Sequence, residues 1–454
     1  MNRFASLISF FLLLSLSLRG QDTITVMQYN LLEYGNYNSA WASCYESNNN
    51  TQEKDECIRT ILQYVRPDIL TVNEFGATQA LQDAFVKHNL NINGVTYWKT
   101  DDIVNYAGSN IINHIFYNSD KMALKRHRVI RTSVRDIDAY ELYFKTAALT
   151  AHDTIKLVCV VAHLKAGSEP DDVSKRRAML QNAMYFIEEN YPGDNVLIMG
   201  DFNMYSSSES GYQLLTKTYP NSDVRFFDPL SLEGGVGYWD NNREFAPFHT
   251  QSTTRLNNNP CRSSGGMDSR FDIMMMSDAI YLGNNFVRYV NHSYKSVGND
   301  GDHFNLSINE GYNSAVPSEV ANALFVNSDH LPITMKLAVY AKLDVDESTT
   351  DAKLMAYVTP NPVSSNAKLC FYNPSEGTVR WELLTLQGQV LMTKEDHATE
   401  GSNQVDISIP NLPSGLYLLR LTTKQGQAQV VKMVVGNAEF GTAKPSTKLI
   451  RNAE

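Results

Sequence analysis

Polar side chains follow several apolar runs of this sequence, each at the point where the run ends. Asp201 and Asn203 come directly after the run Val196–Met199. The same placement recurs for Asn30 after Ile24–Tyr29, Glu74 after Ile69–Val72, and His163 after Leu157–Val161. One such residue alone is usually an ordinary loop residue. Because ligands bind at the carboxyl ends of strands in α/β sheets, the shared context favours a functional site.

Two further segments pair a carboxylate with an imidazole. Asp272 precedes the apolar run Ile273–Met276, and Asp329 and His330 precede another strand-like run. A carboxylate that fixes the tautomer of an imidazole suits general-base chemistry. Carboxylate and amide oxygens are the ligands that Mg²⁺, Mn²⁺ and Ca²⁺ prefer. We therefore expect a divalent-metal site beside a general base, and the cysteines show no zinc-ligand spacing.

The apolar runs alternate with helical patterns. Apolar residues recur at i, i+3, i+4 and i+7 from Ile58 to Val65, and Pro67 ends that helix. The same spacing from Leu180 to Ile187 predicts a helix between two strands. Strands that alternate with helices are typical of α/β architecture.

Composition and charge limit the classes of protein. The chain has 454 residues, which at roughly 150 residues per domain allows one large domain and one or two small ones. The formal net charge of -10 argues against a broad basic surface for nucleic acid. A nuclease is not excluded, because a bound divalent cation reverses the local field where a phosphate docks.

The chain begins like an exported protein. Arg3, the apolar run Leu7–Leu18 and the segment Arg19-Gly20-Gln21 after it predict a signal peptide over residues 1–21. No later segment reaches the ~20 apolar residues that a membrane span requires. No cysteine follows the junction, which argues against a lipoprotein anchor. We expect a product that is secreted or attached to the outer cell surface.

Changes in pattern predict the domain boundaries. We expect a catalytic domain over residues 22–340, a linker rich in Asp, Glu, Ser and Thr over 341–354, and a polar tail over 437–454. Between them, residues 355–436 contain short alternating runs separated by turn residues, which predicts a small all-β sandwich.

The chain has five cysteines. Cys44 and Cys57 flank a polar loop and are the predicted disulfide, worth roughly 3 kcal/mol by the chain-entropy estimate. Cys159 lies in an apolar run and is predicted to be buried and inert.

Short motifs resemble those of the endonuclease/exonuclease/phosphatase superfamily, which includes deoxyribonuclease I, bacterial sphingomyelinases and inositol polyphosphate 5-phosphatases. In order they are Tyr29-Asn30-Leu31, Asn73-Glu74, Ala162-His163-Leu164, Gly200-Asp-Phe-Asn203, Arg270-Phe-Asp272 and Ser328-Asp-His-Leu-Pro332. The resemblance covers residues 22–337 and is specific because all the motifs occur in the same order. It implies an α/β fold, a four-layer α/β/β/α sandwich like that of deoxyribonuclease I, with one metal-centred cleft.

The resemblance also implies roles for the site residues. Glu74, supported by Asn30, would ligate Mg²⁺, Mn²⁺ or Ca²⁺, and Asp201 and Asp329 would complete the oxygen shell. His330, oriented by Asp272, would deprotonate the attacking water. By the same resemblance, His163 would donate to the phosphoryl group or the leaving oxygen. Asn203 would position the nucleophile or a phosphate oxygen.

One part of the family pattern looks altered. The arginine-bearing strand before the histidine strand reads Tyr143-Phe-Lys145 in this chain. Glu141 is a weak candidate for the carboxylate partner of His163. Lys165 and Arg177 are equally well explained as phosphate contacts or as solvated surface cations.

The last part of the chain resembles the type A sorting domain of the type IX secretion system of Bacteroidetes. The motifs are Thr359-Pro-Asn-Pro362, Leu386-Gln-Gly-Gln-Val390, Leu412-Pro-Ser-Gly-Leu-Tyr417 and Val430-Val-Lys-Met-Val434. The resemblance implies that the secretion machinery is a partner of this domain.

The sequence thus predicts an exported, metal-dependent phosphodiesterase, with a nuclease that acts on DNA or RNA as the first hypothesis. A phospholipid or sugar-phosphate phosphoesterase is the alternative enzyme. Sphingomyelinase-like enzymes usually expose an apolar or aromatic hairpin, and the sequence shows no convincing one, because most aromatic residues of the segment Phe226–Phe248 are expected in the core. A non-catalytic cell-surface binding module is the alternative of another class.

Overall fold

A computed structural model describes most of the catalytic region and most of the C-terminal region. The described residues are 22–37, 43–145, 155–217, 224–230, 237–256, 259–339, 354–359, 363, 365–373, 375–385, 388–409, 412–424 and 426–435. The predicted signal peptide, the polar tail and nearly all of the predicted linker lie outside them. The chain divides into two compact units, Met1–Leu343 and Asp344–Glu454, and each is described by itself.

The first unit contains two mixed sheets. In spatial order the first consists of β11 (Val287–Tyr289), β13 (Ile333–Val339), β1 (Asp22–Tyr34), β2 (Ile69–Gly76), β4 (Ile111–Asn118) and β3 (Trp98–Thr100), with β12 (Lys295–Ser296) also paired to β13. The second consists of β5 (Met122–Ile130), β6 (Ile137–Phe144), β7 (Lys156–His163), β8 (Val196–Asp201), β10 (Asp272–Ser277) and β9 (Phe226–Phe227). Only the pairs β1–β2 and β7–β8 are parallel among the described strands.

Helices connect and cover these strands. They are α1 (Thr51–Val65), α2 (Gln79–Phe85), α3 (Pro170–Asn190), α4 (Ser210–Thr216), α5 (Asp278–Leu282) and α6 (Ser318–Asn327). The side chain of Asn50 caps α1 by accepting from the N–H of Glu53, and Arg66 ends it in a left-handed conformation before Pro67. None of the helices in the described residues has the length and apolar character needed to cross a membrane.

The two sheets pack face to face, and helices cover their outer faces. One core lies between the sheets and joins Val26 and Ile69 of the first sheet to Met199 of the second. A second core lies between the second sheet and α3 and α4, and a third lies between the first sheet and α1 and α6. This is the predicted four-layer α/β/β/α sandwich.

Strand β7 shows why its sequence reads as one apolar run. Leu157, Cys159 and Val161 face the core between the sheets, whereas Val158 and Val160 face the core under α3. Strands buried on both faces need apolar residues at every position rather than at alternate ones. Cys159 is buried as a free thiol, as predicted.

The predicted disulfide is wrong. Cys44 is bonded to Cys261, with Cα atoms 4.6 Å apart, and Cys57 lies on α1 as a free thiol packed against the third core. The bonded residues are 217 positions apart, so proximity along the chain could not reveal them. A cross-link over a loop of this length stabilises by about 5 kcal/mol in the chain-entropy estimate.

The second unit is a small all-β sandwich, as predicted. One antiparallel sheet consists of β14 (Met355–Thr359), β15 (Asn366–Asn373) and β18 (Gly401–Ser408). The other consists of β17 (Val390–Ala398), β16 (Gly377–Leu384), β19 (Gly415–Thr423) and β20 (Ala428–Val435). Leu369, Trp381 and Leu419 lie in the core between them.

Candidate active site

Most of the predicted site residues come together where the strands of both sheets end. Asp201 is paired with His163 in the β7–β8 register and with Asp272 in the β8–β10 register. Asn30 and Glu74 come from neighbouring strands of the opposite sheet. The side chain of Asn30 joins the two sheets, because its Nδ2 donates to Oε1 of Glu74 at 2.9 Å and to Oδ2 of Asp201 at 3.0 Å.

Local backbone irregularities aim two of these side chains. The register between β2 and β4 shifts between Val72 and Phe75, and Glu74 within that bulge has a φ of 56°. Asn203 has a φ of 51°. Non-glycine residues rarely adopt positive φ, and such conformations cluster at functional sites.

Gly200 allows β8 to approach β7 at the site. Its φ is 144°, and a Cβ atom there would lie 1.8 Å from the carbonyl oxygen of Ala162. Only glycine can occupy this position, which explains the first residue of the Gly-Asp-Phe-Asn motif. The close approach brings Asp201 within 3.5 Å of Nε2 of His163.

Buried amides hold the ends of the strands in place behind the site. Oδ1 of Asn73 accepts from Nε2 of Gln28 at 2.7 Å and from the backbone N–H of Asp201 at 2.8 Å. Its Nδ2 donates to Asn113 at 2.7 Å. Because every one of these groups is buried, the hydrogen bonds fix the two sheets against each other at the position of Asp201.

Glu74, His163 and Asp201 form a group that could hold a metal ion. One ligand atom from each lies within 4.8 Å of the others. Two carboxylates and one imidazole are a donor set in which hard oxygen atoms predominate. The residues therefore fit a divalent cation, as expected from the sequence.

Asp329 is not a member of that group. Its Oδ2 accepts from the backbone N–H of Ser263 at 2.8 Å, while its Oδ1 is buried without a hydrogen-bond partner. A buried carboxylate oxygen without a partner is unfavourable unless a cation or another donor satisfies it. Asp329 as a metal ligand stays a prediction.

His330 and Asp272 form the predicted pair. Nδ1 of His330 lies 2.7 Å from Oδ2 of Asp272, and its Nε2 faces Asp201 at 3.7 Å. Nδ1 therefore donates to Asp272, which leaves the lone pair on Nε2 available to accept a proton. The segment before Asp272 is fixed by Arg270, whose guanidinium donates to both oxygens of the buried Asp228 at 2.7 and 2.8 Å.

Burial and neighbouring charges set the protonation of the group. Burial raises the pKa of Asp201 to about 7, against the opposing effect of His330 and with the support of Asp272 and Glu74. Burial lowers the pKa of His163 well below its usual value, and Arg135 and His330 add to the effect. For His330, burial lowers the pKa, but Asp272 and Asp201 outweigh burial and raise it well above the usual value. A divalent cation held by the neighbouring acids would oppose this rise and favour the neutral ring that can act as a base.

Arg135, just before β6, is a site residue that the sequence did not reveal. Its Nη1 is buried and has no hydrogen-bond partner. Burial lowers the pKa of Arg135, and the nearby carboxylates of Glu74, Asp201 and Glu33 act in the opposite direction. The signal was its position two residues ahead of β6, the strand that borders the histidine strand.

The sequence Tyr143-Phe-Lys145 therefore does not mean that an arginine is missing, because Arg135 precedes the same strand. Nζ of Lys145 donates to the carbonyl oxygen of Ser119. Glu141 accepts from the hydroxyl groups of Tyr143 and Tyr191, so the structure does not support it as a partner of His163.

The two cations near His163 in sequence are explained without a phosphate. Nζ of Lys165 lies 3.0 Å from Oδ1 of Asp172, and Arg177 is exposed on α3. Asn203 is buried, its N–H donates to Oδ1 of Asp201 at 3.0 Å, and its Nδ2 lies 3.3 Å from the carbonyl oxygen of Leu164.

Comparison with solved structures gave matches of low identity. Humanised TDP2 of D. rerio is 15% identical, with 69% of this chain and 98% of that chain covered and a TM-score of 0.41. The catalytic domain of human Nocturnin with bound sulfate is 14% identical, with 70% and 98% covered and a TM-score of 0.41. An endonuclease/exonuclease/phosphatase from Beutenbergia cavernae is 12% identical, with 91% and 99% covered and a TM-score of 0.38.

Sequence comparison gives the assignment, since TM-scores of that size add nothing to it. No curated protein sequence matches the chain. Residues 357–436 match the family described as secretion system C-terminal sorting domain. Residues 27–303, more than half of the chain, match the family described as endonuclease/exonuclease/phosphatase family. The chain belongs to the endonuclease/exonuclease/phosphatase family of metal-dependent phosphoesterases.

Proposed function

We propose that this protein is an exported phosphodiesterase that hydrolyses the backbone of DNA or RNA with a divalent metal ion. The observation that carries the proposal is the orientation of His330. Its Nδ1 is held by Asp272, and its Nε2 faces Asp201 beside Glu74 and His163. A general base that is oriented next to a cation site is what the attack of water on a phosphodiester requires.

In this proposal His330 accepts a proton from the attacking water at Nε2. The carboxylate of Asp272 stabilises the imidazolium that results, because it lies 2.7 Å from Nδ1. Glu74 and Asp201 would hold the metal ion, with Asn30 and Asp329 as further ligands. When bound, the ion supplies positive charge that offsets the negative charge of the phosphoryl group.

The other residues would handle the phosphate and the leaving group. Nη1 of Arg135 needs an acceptor, and a phosphate oxygen is a suitable one because guanidinium and phosphate form charge-assisted hydrogen bonds. His163 is neutral because burial lowers its pKa, so it would donate a hydrogen bond rather than carry a charge. Asn203 would position a phosphate oxygen or the water.

The described aromatic residues of the segment Phe226–Phe248 lie mostly in the core, as expected, and give no support to the lipid alternative. Trp239 and Phe226 are buried, and both belong to the core under α3. Phe245 belongs to the same core, and Phe227 and Phe248 are partly buried against the cores. Among the described aromatic residues of this segment only Tyr238 is exposed, at 58%, and one ring does not make an apolar membrane-contacting patch.

Export is proposed through two segments at opposite ends of the chain. The predicted signal peptide over residues 1–21 would direct the first step. The domain that matches the sorting family over 357–436 would then engage the type IX secretion machinery, so that the enzyme is secreted or attached to the outer cell surface. Without that domain, the enzyme should accumulate in the periplasm instead of reaching the outside of the cell. Cell fractionation measures how the enzyme is distributed between the periplasm and the medium.

The activity is tested with the purified full chain that lacks residues 1–21. Plasmid DNA, RNA, sphingomyelin and bis-p-nitrophenyl phosphate are assayed with Mg²⁺, Mn²⁺, Ca²⁺ or EDTA, beside His330→Ala. We expect cleavage of DNA or RNA that EDTA and His330→Ala both abolish. Hydrolysis of sphingomyelin alone would move the protein to the lipid phosphoesterases. A folded protein that hydrolyses none of the substrates would favour the non-catalytic binding module.

A further inference from the structure

The side-chain amide of Gln251 contacts the imidazole of His330 at the nitrogen that the proposed reaction uses. Nε2 of Gln251 lies 3.0 Å from Nε2 of His330 and 3.4 Å from Oγ of Ser263. No role has been given to this amide so far. Among the side chains that face this nitrogen, it is closer than Asp201, at 3.7 Å.

The backbone of Gln251 is held from two directions. Its N–H donates to the carbonyl oxygen of Ser269 at 3.0 Å, and its own carbonyl accepts from the N–H groups of Asp268 and Ser269 at 2.7 and 2.9 Å. The N–H of Leu331 donates to the carbonyl of Thr250 at 2.7 Å, which fixes the same segment beside His330. The backbone of Gln251 is therefore fixed, and only rotation about its side-chain bonds can move the amide.

The amide stands where the attacking water must bind. In the neutral form of the His330 ring, with Nδ1 donating to Asp272, the lone pair on Nε2 faces Gln251, whose N–H can donate to it. A water molecule that gives up a proton needs the same lone pair. A glutamine amide also offers a carbonyl oxygen, so a half-turn of the amide converts a donor at this position into an acceptor.

We propose that Gln251 is a positioning residue that holds the hydrolytic water against Nε2 of His330; this rests on the proposed hydrolytic function. One hydrogen of the water points to Nε2, and the carbonyl oxygen of Gln251 accepts the other. With both hydrogens committed, a lone pair of the water oxygen is directed at phosphorus. The proton passes to His330, the new P–O bond forms, the bond to the leaving oxygen breaks, and Gln251 is unchanged.

Ser263 contacts the amide of Gln251 from a loop that is held by a disulfide. Its Oγ faces Nε2 of Gln251, and its backbone N–H donates to Oδ2 of Asp329 at 2.8 Å. The Cys44–Cys261 disulfide fixes the chain two residues earlier. Ser263 therefore contacts both the amide of Gln251 and the carboxylate of Asp329, the residue next to His330.

The first test compares Gln251→Met and Gln251→Ala in the full chain without residues 1–21, with bis-p-nitrophenyl phosphate as the substrate. We expect both variants to lower kcat roughly 10- to 100-fold with KM changed less than about threefold, because positioning of the nucleophile is lost. Tyr312→Ala is the matched control, since Tyr312 is 87% exposed and takes no part in the site. An unchanged kcat in Gln251→Met, which fills the same space without hydrogen bonds, would overturn the inference.

The second test separates positioning of water from packing. Methanol added to the assay competes with water and gives methyl p-nitrophenyl phosphate in place of p-nitrophenyl phosphate. Methanol has one O–H, so its methyl group would meet the carbonyl of Gln251, and the native enzyme should disfavour it. We expect Gln251→Ala to raise the methanolysis fraction several-fold, and an unchanged fraction contradicts the inference. His330→Ala distinguishes the failures: if it stays active, the proposed function fails, and if it alone is inactive, only the role of Gln251 fails.

Discussion

Two buried histidines of the first unit contact carboxylates at similar distances, yet their surroundings differ. His330 has Asp272 on Nδ1 at 2.7 Å and faces the cleft with Nε2. His127 on β5 has Asp101 on Nδ1 and Asp138 on Nε2, both at 2.9 Å, and its ring stacks on Tyr140. Both pairs raise the pKa of the imidazole above its usual value.

The difference lies in the second ring nitrogen. Both nitrogens of His127 are committed to acids, and Asp101 follows a strand of the first sheet while Asp138 lies on a strand of the second. The imidazole therefore clamps the two sheets together and has no nitrogen with which to accept a substrate proton. His330 keeps one nitrogen for chemistry. A His–Asp pair indicates catalysis only when the second nitrogen is accessible.

The largest expected effect comes from His330→Ala. Removal of a positioned general base should lower kcat/KM by roughly 10²- to 10⁴-fold, since general acid–base catalysis contributes about that much. Steady-state kinetics with bis-p-nitrophenyl phosphate measures the loss at a temperature where circular dichroism shows a folded protein. His88→Ala, at an exposed histidine on the same unit, is the control and should keep full activity. Activity within tenfold of the native enzyme would break the comparison.

The second prediction concerns His127→Ala. It leaves the buried Asp138 beside Asp101 without a cation, and breaking a buried ion pair in this way costs about 3 to 5 kcal/mol of unfolding free energy. Urea unfolding measures the loss. At a temperature where the variant is folded, its kcat should stay within about threefold of native. A folded His127→Ala protein with the activity loss expected for His330→Ala would show that the two histidines do not differ in role.

The third prediction concerns Arg135. Substitution by Ala should lower kcat/KM about 100-fold, because a single preorganised donor to a developing charge is worth about that factor. Arg135→Lys keeps the charge without the planar fork and should lie between Ala and native. Metal titration of each variant, followed by thermal stabilisation, separates phosphate binding from metal binding. Equal activities for Ala and native would remove Arg135 from the site.

The smallest expected effect is the pH dependence of stability. Burial lowers the pKa of His127, but the hydrogen bonds to Asp101 and Asp138 outweigh it and raise the pKa from 6.5 to about 9. A raised pKa stabilises the folded state fully below pH 6.5, and this contribution disappears as pH rises through about 9. The rise of the His127 pKa from 6.5 to about 9 corresponds to at most roughly 3 kcal/mol of unfolding free energy.

Urea unfolding between pH 6 and pH 10 measures that loss. The unfolding free energy of His127→Gln should not decrease with pH in this way, whereas that of His88→Gln should decrease as in the native protein. An equal slope in His127→Gln and the native protein would contradict the assignment.

The architecture of both units could be predicted from the sequence because local patterns specify it. The apolar run Leu157–Val161 and the helical spacing from Ile58 to Val65 are decided by burial, and the structure has β7 and α1 at these positions. The site residues at the ends of the strands could also be predicted, because the strands of the parallel pairs β1–β2 and β7–β8 end on the same side of their sheets.

Contacts between distant segments could not be predicted in the same way. Arg135 and Gln251 enter the site from loops whose sequences contain no motif, and their roles depend on what faces them in space. The same is true of His127, whose two acids come from different sheets. The predicted pairing of Cys44 with Cys57 was wrong for the same reason. Cys44 is bonded to Cys261, which lies 217 positions away in the sequence, and no local pattern indicates that contact.

The long-range disulfide has a consequence for the maturation of an exported chain. A chain that crosses a membrane from its amino terminus meets oxidant with Cys44 and Cys57 well before Cys261 arrives. A bond between the first two thiols would be non-native and would have to be exchanged through a mixed disulfide. Once α1 has packed, burial raises the pKa of Cys57 to about 11, so its reactive thiolate is scarce and the native bond is protected. The yield of active protein would then depend on disulfide isomerase capacity.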